Sequence, residues 1–364
     1  MKFTIHYLSL PNAGLTKNFS LCGFSQANMR LIRMLKDLGH YIYLYGPQKH
    51  ECDVPYDELI EVITAEERDT LLEATVNAEG RPEKTPFQYA YHEHWSPIYQ
   101  LANARAAKEI GKRKKPRDFI CSIGGGSQKP VADAHPDLQF VELSIGYQGS
   151  FSPYRVFESY AWQNYTYGKQ NIDNVRYFDT VIPLPFDPDE YPFREEKEPF
   201  ALYVGRLIER KGLVIACRAA EAAKIPLKVI GHGPTHTITN GAEYLGALPD
   251  KERNDWMSRA QCVLTPTIYI EPFNSVTVES QLCGTPVVAT ENCGMTETIQ
   301  HGKTGFHCHI LGDFVRAIHD CAKLDHAYIR HRAVDKFSIK AVAPAYDKYF
   351  HRLWTLWGDG WNSI

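Results

Sequence analysis

The 364-residue sequence lacks a long apolar run, a closely spaced cysteine pair and a strong excess of either charge. No apolar stretch reaches the roughly 18 residues that a membrane-spanning helix needs. The nine cysteines form no Cys-x-x-Cys pair and show no repeated spacing. The net charge of −3 does not favour a general nucleic-acid-binding protein, although it leaves room for a local basic patch.

The chain begins directly with a strand pattern, Met1-Lys-Phe-Thr-Ile-His-Tyr7, and shows no secretory leader. Together with the odd number of cysteines, this predicts reduced thiols and a cytoplasmic location. With 44% hydrophobic and 23% charged residues, the composition is typical of a globular protein. The length predicts two or three domains.

The most informative stretch is Glu271-Pro-Phe-Asn-Ser-Val-Thr-Val-Glu279. Asn274 is a favourable helix N-cap, so its pattern predicts a helix from Ser275 with the first N–H groups pointing outward. Helix N-termini of this kind bind phosphates. Glu271 precedes the cap, and Glu279 lies about a turn and a half into the helix. This arrangement suits a ligand with a central pyrophosphate and hydroxyl-rich groups at both ends, as in a sugar nucleotide.

This stretch, continued by Gln281-Leu-Cys-Gly-Thr-Pro-Val-Val-Ala-Thr290, resembles the signature of retaining glycosyltransferases of family 4 among the glycosyl transferases group 1. The family usually has Gly at the position of Asn274 and Ala at that of Ser280. The resemblance implies the GT-B fold. That fold is an α/β architecture with two Rossmann-like domains facing a cleft and a C-terminal helix crossing back to the first domain.

A second motif, Gly205-Arg206-x4-Lys211-Gly212, follows the strand pattern of residues 200–204 and resembles a segment of the same family. Its two cations can converge on a leaving diphosphate, Arg as a bidentate fork and Lys as a point charge. The resemblance implies Arg206, Lys211 and Glu271 as catalytic residues, with Glu271 holding hydroxyls of the donor sugar. The implied donor-binding residues are Gly14, Gly205, Gly231, His232, Phe273, Asn274, Ser275 and Glu279, the last holding the ribose.

Three other nucleotide motifs fail on single residues. Dinucleotide fingerprints starting at Gly124 or Gly231 need a third glycine where Lys129 and His236 stand. A P-loop ending at Gly302 needs a glycine where Glu297 stands. The Gly231-His-Gly-Pro turn instead resembles one that the glycosyltransferase family places near the nucleotide.

The N-terminal half alternates strand and helix patterns, which predicts βαβ units. Residues 57–76 read as a helix. Many family members have a histidine near the reacting sugar at the end of one first-domain strand, and here Gly146 or Tyr147 stands there. Both are therefore candidates for the acceptor side of the site. The family also has a glycine in the first loop close to the bound donor and acceptor, and Gly14 is the candidate for it.

A proline-rich run marks the domain boundary. The predicted divisions are an acceptor-side domain at 1–182, a linker at 183–198, a nucleotide-sugar domain at 199–340 and a returning helix at 341–364.

The sequence therefore predicts a retaining, metal-independent glycosyltransferase of the hexosyltransferase type that uses a UDP- or GDP-sugar. The acceptor is left open as a small molecule, a glycan or a nucleic acid, and the oligomeric state is open. No covalently bound cofactor is expected. No metal is expected either, because Arg206 and Lys211 can balance the charge of the diphosphate, and His92-x-His94 and His307-x-His309 each lack a third ligand nearby. Two alternatives are a non-catalytic sugar-nucleotide-binding protein and a DNA base glycosyltransferase, the latter suggested by the basic run 112–117.

Overall fold

The structure is a computed structural model and describes residues 1–16, 23–73, 96–239 and 241–362. Its contacts divide the chain into two compact units. The first unit comprises Met1–Glu158, Thr166–Pro185 and Val342–Ile364. The second unit comprises Ser159–Tyr165 and Phe186–Ala341, so a short segment from the first half of the sequence belongs to it.

The first unit is built on a sheet of seven parallel strands in the order β3-β2-β1-β4-β5-β6-β7. All seven residues of β5 are buried, as expected for a central parallel strand covered on both faces. The strands are β1 Thr4–Leu8, β2 Tyr41–Gly46, β3 Glu58–Glu61, β4 Phe119–Ser122, β5 Gln139–Ile145, β6 Tyr154–Phe157 and β7 Thr180–Val181.

Helices connect these strands, as the alternating pattern of the sequence predicts. They are α1 Gly23–Asp37, α2 Ala65–Glu73, α3 Pro97–Arg113, α4 Lys129–Ala134 and α5 Tyr160–Lys169. The prediction of one helix over residues 57–76 is wrong, since β3 occupies its first part and α2 begins only at Ala65. Pairing with β2, between Leu44 and Leu59 for example, overrides the local helical preference.

The second unit has a six-stranded parallel sheet in the order β10-β9-β8-β11-β12-β13. Its strands are β8 Glu198–Val204, β9 Leu227–Ile230, β10 Glu243–Gly246, β11 Ala260–Thr265, β12 Val287–Thr290 and β13 Gly305–Cys308. Its helices are α6 Leu213–Ala223, α7 Asp250–Arg259, α8 Ser275–Leu282, α9 Gly294–Thr298, α10 Leu311–Asp320 and α11 His326–Phe337. The strand order reverses between β8 and β11, and ligands of open parallel sheets bind beyond the carboxyl ends of the strands at such a point.

The last helix, α12, spans Ile339–Leu356 and joins the first unit from Val342 onward. The Tyr349 hydroxyl donates to the Phe178 carbonyl at 2.8 Å, and the Phe350 ring centroid lies 5.2 Å from that of Phe119. The prediction of two Rossmann-like units with a returning C-terminal helix is thus confirmed.

Candidate active site

The turns after β8 and β9 lie against each other at the carboxyl edge of the second sheet. The Gly205 N–H donates to the Ile230 carbonyl at 3.0 Å, and the Leu207 N–H donates to the His232 carbonyl at 2.8 Å. A Cβ at Gly231 would stand 1.8 Å from the Gly205 carbonyl oxygen, so only glycine fits there. The predicted donor-binding residues Gly205, Gly231 and His232 therefore form one wall of backbone.

Lys211 and Glu271 meet in an ion pair, with 2.5 Å between Nζ and Oε2, although 60 residues separate them. Lys211 lies in the loop after β8 and Glu271 in the loop after β11, and these strands flank the point where the strand order reverses. The two side chains are 18% and 9% exposed. The structure thus brings two of the three predicted catalytic residues together where a ligand is expected.

Tyr269 lies beside this pair and was not singled out from the sequence. The Lys211 ammonium lies 5.2 Å from its ring centroid, and the Arg210 guanidinium lies at 4.7 Å. Burial raises the pKa of Tyr269 well above its ordinary value, the Glu271 carboxylate adds to the rise, and the guanidinium of Arg206 opposes it. Arg206, the third predicted catalytic residue, is therefore close enough to act electrostatically on the same neighbourhood.

Asn274 takes the N-cap position of α8 with a left-handed backbone, φ 64°. Its side chain forms no cap hydrogen bond, contrary to the expectation for an N-cap asparagine. Its carbonyl instead accepts the Thr277 N–H at 3.0 Å. Asparagine tolerates the left-handed region better than other non-glycine residues, which explains how it replaces the glycine of the family signature.

The helix that follows begins at Ser275, as predicted, and its first N–H groups lack partners within the helix. The side chain of Phe273, a predicted donor-binding residue, is only 3% exposed. Its ring packs against Phe186 at 6.4 Å and Phe337 at 6.0 Å between centroids. Any ligand contact from Phe273 would therefore come from its backbone.

Glu279 is buried inside α8, and its carboxylate lies 3.6 Å from the Arg253 guanidinium of α7. Arg253 also pairs with Asp250 at 3.0 Å. Burial lowers the pKa of Arg253, but Glu279 and Asp250 more than offset this and leave it above its ordinary value. Sequence reasoning missed Arg253, because only tertiary packing brings it to Glu279.

In the first unit, Gly14 is buried in the loop after β1, and Gly146 and Tyr147 follow β5. A Cβ at Gly146 would stand 2.4 Å from Oε2 of Glu158, so this carboxylate fills the space that a side chain at 146 would take. The Tyr147 hydroxyl donates to Glu142 at 3.3 Å. Burial raises the pKa of Glu142 to about 7. Near the position where the family often has a histidine, the structure thus has two buried carboxylates, those of Glu142 and Glu158.

The basic run at the end of α3 is mostly neutralised. Lys112 and Arg113 each pair with Glu109 at 2.5 Å, and Lys114 pairs with Asp137 at 2.5 Å. The Arg117 guanidinium stacks on Trp354 at 4.8 Å. Lys112, Arg113 and Lys114 therefore each have an acidic partner, whereas Arg117 keeps its charge on the Trp354 ring.

Among residues 1–16, 23–73, 96–239 and 241–362, no three His, Cys, Asp or Glu side chains are grouped to hold a metal ion. His307 faces the Met295 carbonyl, whereas His309 pairs with Glu291. His92 and His94 lie outside the described residues. An Asp-x-Asp sequence does occur at 187–189, and there the Asp187 side chain accepts the Asp189 N–H at 3.1 Å in a turn. No described helix is both long and apolar enough to cross a membrane.

The second unit carries a recognisable family domain. Residues 189–323 match the model of the family Glycosyl transferases group 1. The chain is also 33% identical over 103 residues to the phosphatidyl-myo-inositol mannosyltransferase of Propionibacterium freudenreichii subsp. shermanii. That alignment covers 27% of each protein, so the chain spans about a quarter of that relative's length.

Solved structures match over nearly the whole chain. AviGT4, a glycosyltransferase involved in avilamycin A biosynthesis, superposes with a TM-score of 0.68 at 20% identity, covering 97% of this chain and 98% of that one. HepE of Anabaena in complex with UDP and glucose gives 0.64 at 16% identity, covering 96% and 100%. The protein therefore has the GT-B fold, as the sequence predicted, and residues 189–323 of its second unit are similar to the family Glycosyl transferases group 1.

Proposed function

We propose that the protein is a retaining, metal-independent glycosyltransferase that moves a sugar from a UDP- or GDP-sugar to a hydroxyl-bearing acceptor. The observation that carries this proposal is the Lys211–Glu271 pair beside the N-terminus of α8 in a glycosyl transferases group 1 domain. Its position beyond β8 and β11 is where an open parallel sheet binds its ligand.

The proposed chemistry depends on charge that grows on the leaving diphosphate. The bond from the anomeric carbon to the diphosphate oxygen breaks, and its electron pair leaves with the nucleoside diphosphate. The acceptor hydroxyl oxygen forms the new bond to the anomeric carbon, and the hydroxyl proton passes to an oxygen of the leaving diphosphate. Arg206, Lys211 and the first N–H groups of α8 would stabilise that charge, because fixed donors and cations act most strongly where water is excluded. In the structure, the Glu271 carboxylate neutralises the Lys211 ammonium.

Donor binding would then exchange this pair for two ligand contacts. The Lys211 ammonium would turn to the diphosphate, and the Glu271 carboxylate would accept hydroxyls of the transferred sugar. Glu279, held at 3.6 Å from Arg253, would accept hydroxyls of the ribose. A carboxylate oriented by a buried arginine is well suited to this task, because its direction is fixed before the ligand arrives.

Two similarities support the choice of substrates. HepE was solved with UDP and glucose, which supports a UDP-sugar donor. The name of the mannosyltransferase relative points to an inositol-containing acceptor, which supports a hydroxyl-rich small molecule or lipid headgroup here. The paired state of the basic run gives a nucleic-acid acceptor little support.

A ligand screen followed by a turnover assay tests the proposal. UDP-, GDP- and ADP-sugars are compared by thermal shift, since a ligand that binds only the native state raises its stability. The best binder is then assayed for release of the nucleoside diphosphate, with water or added polyols as acceptor. Binding together with release supports a transferase. Binding without release of any donor would favour the non-catalytic alternative, and no binding would contradict both.

A further inference from the structure

The segment Ser159–Tyr165, which includes the start of α5, belongs to the second unit, although the chain before and after it belongs to the first unit. The chain leaves the first unit after Glu158, contributes Ser159–Tyr165 to the second, and returns at Thr166. Within the second unit, this segment contacts the loop that carries Glu271. The arrangement raises the question of what the segment does there.

Two side chains fix the segment at its helix start. The Glu297 carboxylate accepts the N–H groups of Tyr160 at 3.0 Å and Ala161 at 2.8 Å, one on each oxygen. The Ser159 hydroxyl accepts the Trp162 N–H at 3.1 Å and so acts as an N-cap. Three of the N–H groups that a helix start leaves without helical partners are thus satisfied.

The same serine also contacts the loop between β11 and α8 that carries Glu271, which is called the donor loop below. Its hydroxyl donates to the Pro272 carbonyl at 2.5 Å, one residue after Glu271. On the other side of this loop, the Gly294 N–H donates to the Glu271 carbonyl at 3.1 Å. A Cβ at Gly294 would stand 2.5 Å from the Pro272 oxygen, so α9 presses closely on the loop. Residues 271 and 272 are therefore held from α5 and from α9.

Glu297 lies at the centre of this arrangement, because it belongs to α9 and caps α5. Each oxygen of its carboxylate accepts one backbone N–H group from the start of α5. Removing the carboxylate would loosen Ser159, and with it the hydrogen bond that fixes the peptide after Glu271.

We propose that Glu297 and Ser159 are positioning residues for Glu271. They hold the 159–165 segment against the donor loop, residues 266–274, and so set the geometry of that loop. This inference rests on the proposed function, because it assigns Glu271 to the donor sugar. A misplacement of about 1 Å can lower a rate by roughly a hundredfold, so loss of this support is expected to act on kcat.

The test compares Ser159→Ala, Glu297→Gln and Glu297→Ala with wild type and with Glu291→Gln as a control. Glu291 is an exposed acid that pairs with His309, close in sequence to α9. Hydrogen exchange is measured on peptides covering 269–280, and nucleoside diphosphate release is measured on the donor selected by the thermal-shift screen. Glu297→Gln keeps one acceptor oxygen and is expected to lie between wild type and Glu297→Ala.

We expect at least tenfold faster exchange in that loop for Ser159→Ala and Glu297→Ala, a kcat at least tenfold lower, and a KM within threefold of wild type. Unchanged exchange in the loop would overturn the inference, even if the variants lose thermal stability. Faster exchange with unchanged kcat would also overturn it. If the wild type turns over no donor, the proposed function fails, and the exchange measurement still decides whether Ser159 and Glu297 hold the loop.

Discussion

Two positions in this protein differ from the pattern of the glycosyltransferase family that its sequence resembles. Asn274 replaces a glycine and keeps its left-handed backbone, φ 64°. Gly146 or Tyr147 stands where the family often has a histidine, and the Glu158 carboxylate fills the space that a Cβ at Gly146 would take. Gly146 has no positive φ, so its backbone would accept another residue if Glu158 were smaller. The backbone conformation of Asn274 follows from the known preferences of asparagine, whereas the close contact at Gly146 could not be predicted without the position of Glu158.

The close approach at Gly146 predicts a non-additive pair of substitutions. Gly146→Ala alone is expected to cost about 1–3 kcal/mol of unfolding free energy, because the new Cβ meets the Glu158 carboxylate. In the Glu158→Ala background the same change should cost at least 1 kcal/mol less. Urea unfolding of the four chains measures this coupling.

The matched control is Gly168→Ala, where no atom lies within 4 Å of the new Cβ. Gly168 lies inside α5, so this change is expected to be neutral or slightly stabilising. Equal costs for Gly146→Ala in both backgrounds would contradict the account of this position.

Among the elements, α8 carries Glu279, which is proposed to bind the ribose, and α7 carries its partner Arg253. The sequence predicts the start of α8 and the strands that flank the site, since both depend on local patterns. It does not predict β3, a short strand with Glu58 and Glu61 at its ends, because its pairing with β2 is a tertiary effect. The assignment of residues 159–165 to the second unit is likewise invisible in a linear pattern.

The pairing of α7 with α8 predicts unequal effects for two arginines of the same helix. Arg253→Met is expected to lower the unfolding free energy by about 3 kcal/mol, because it removes the buried partner of Glu279. Arg259→Met removes a more exposed pair with Glu198 and should cost less than about 1 kcal/mol. Chemical unfolding compares the two variants directly. Equal losses of unfolding free energy would show that the buried Arg253–Glu279 pair contributes no more to stability than the exposed Arg259–Glu198 pair.

At the scale of the whole molecule, the chain forms two compact units, each built on its own parallel sheet. The sequence motifs predicted the similarity to a glycosyltransferase family and led to the proposed donor-binding residues, because glycines, cations and acids at strand ends have position-specific roles. They identify the acceptor poorly, since the first-unit edge around Gly146 and Tyr147 departs from the family. Two compact units also mean that unfolding need not be a single two-state transition.

The first unit is expected to lose stability in mild acid through His40. Burial lowers the pKa of His40 from 6.5 to about 4, with Lys2, the N-terminus and His351 adding to the effect and Asp347 opposing it. The unfolded chain therefore binds the proton first, and stability falls as the pH drops from 6.5 to 4, by about 2 kcal/mol at pH 5.

The substitution His40→Phe removes the titrating group while keeping an aromatic ring against Phe3 and Phe350. Between pH 7 and pH 5, the unfolding free energy of wild type should fall by about 2 kcal/mol more than that of the variant. Parallel pH dependences for the two chains would rule out His40 as the cause.

The most direct test of the central claim is the rate of nucleoside diphosphate release from the donor that the wild type binds best. Lys211→Ala and Glu271→Ala are compared with Lys228→Ala, which breaks a Lys–Glu pair of the same 2.5 Å length with Glu243 in the same unit. The expected loss in kcat is about a hundredfold or more for Lys211→Ala and Glu271→Ala, and less than threefold for Lys228→Ala. Wild-type rates in Lys211→Ala or Glu271→Ala would contradict the claim.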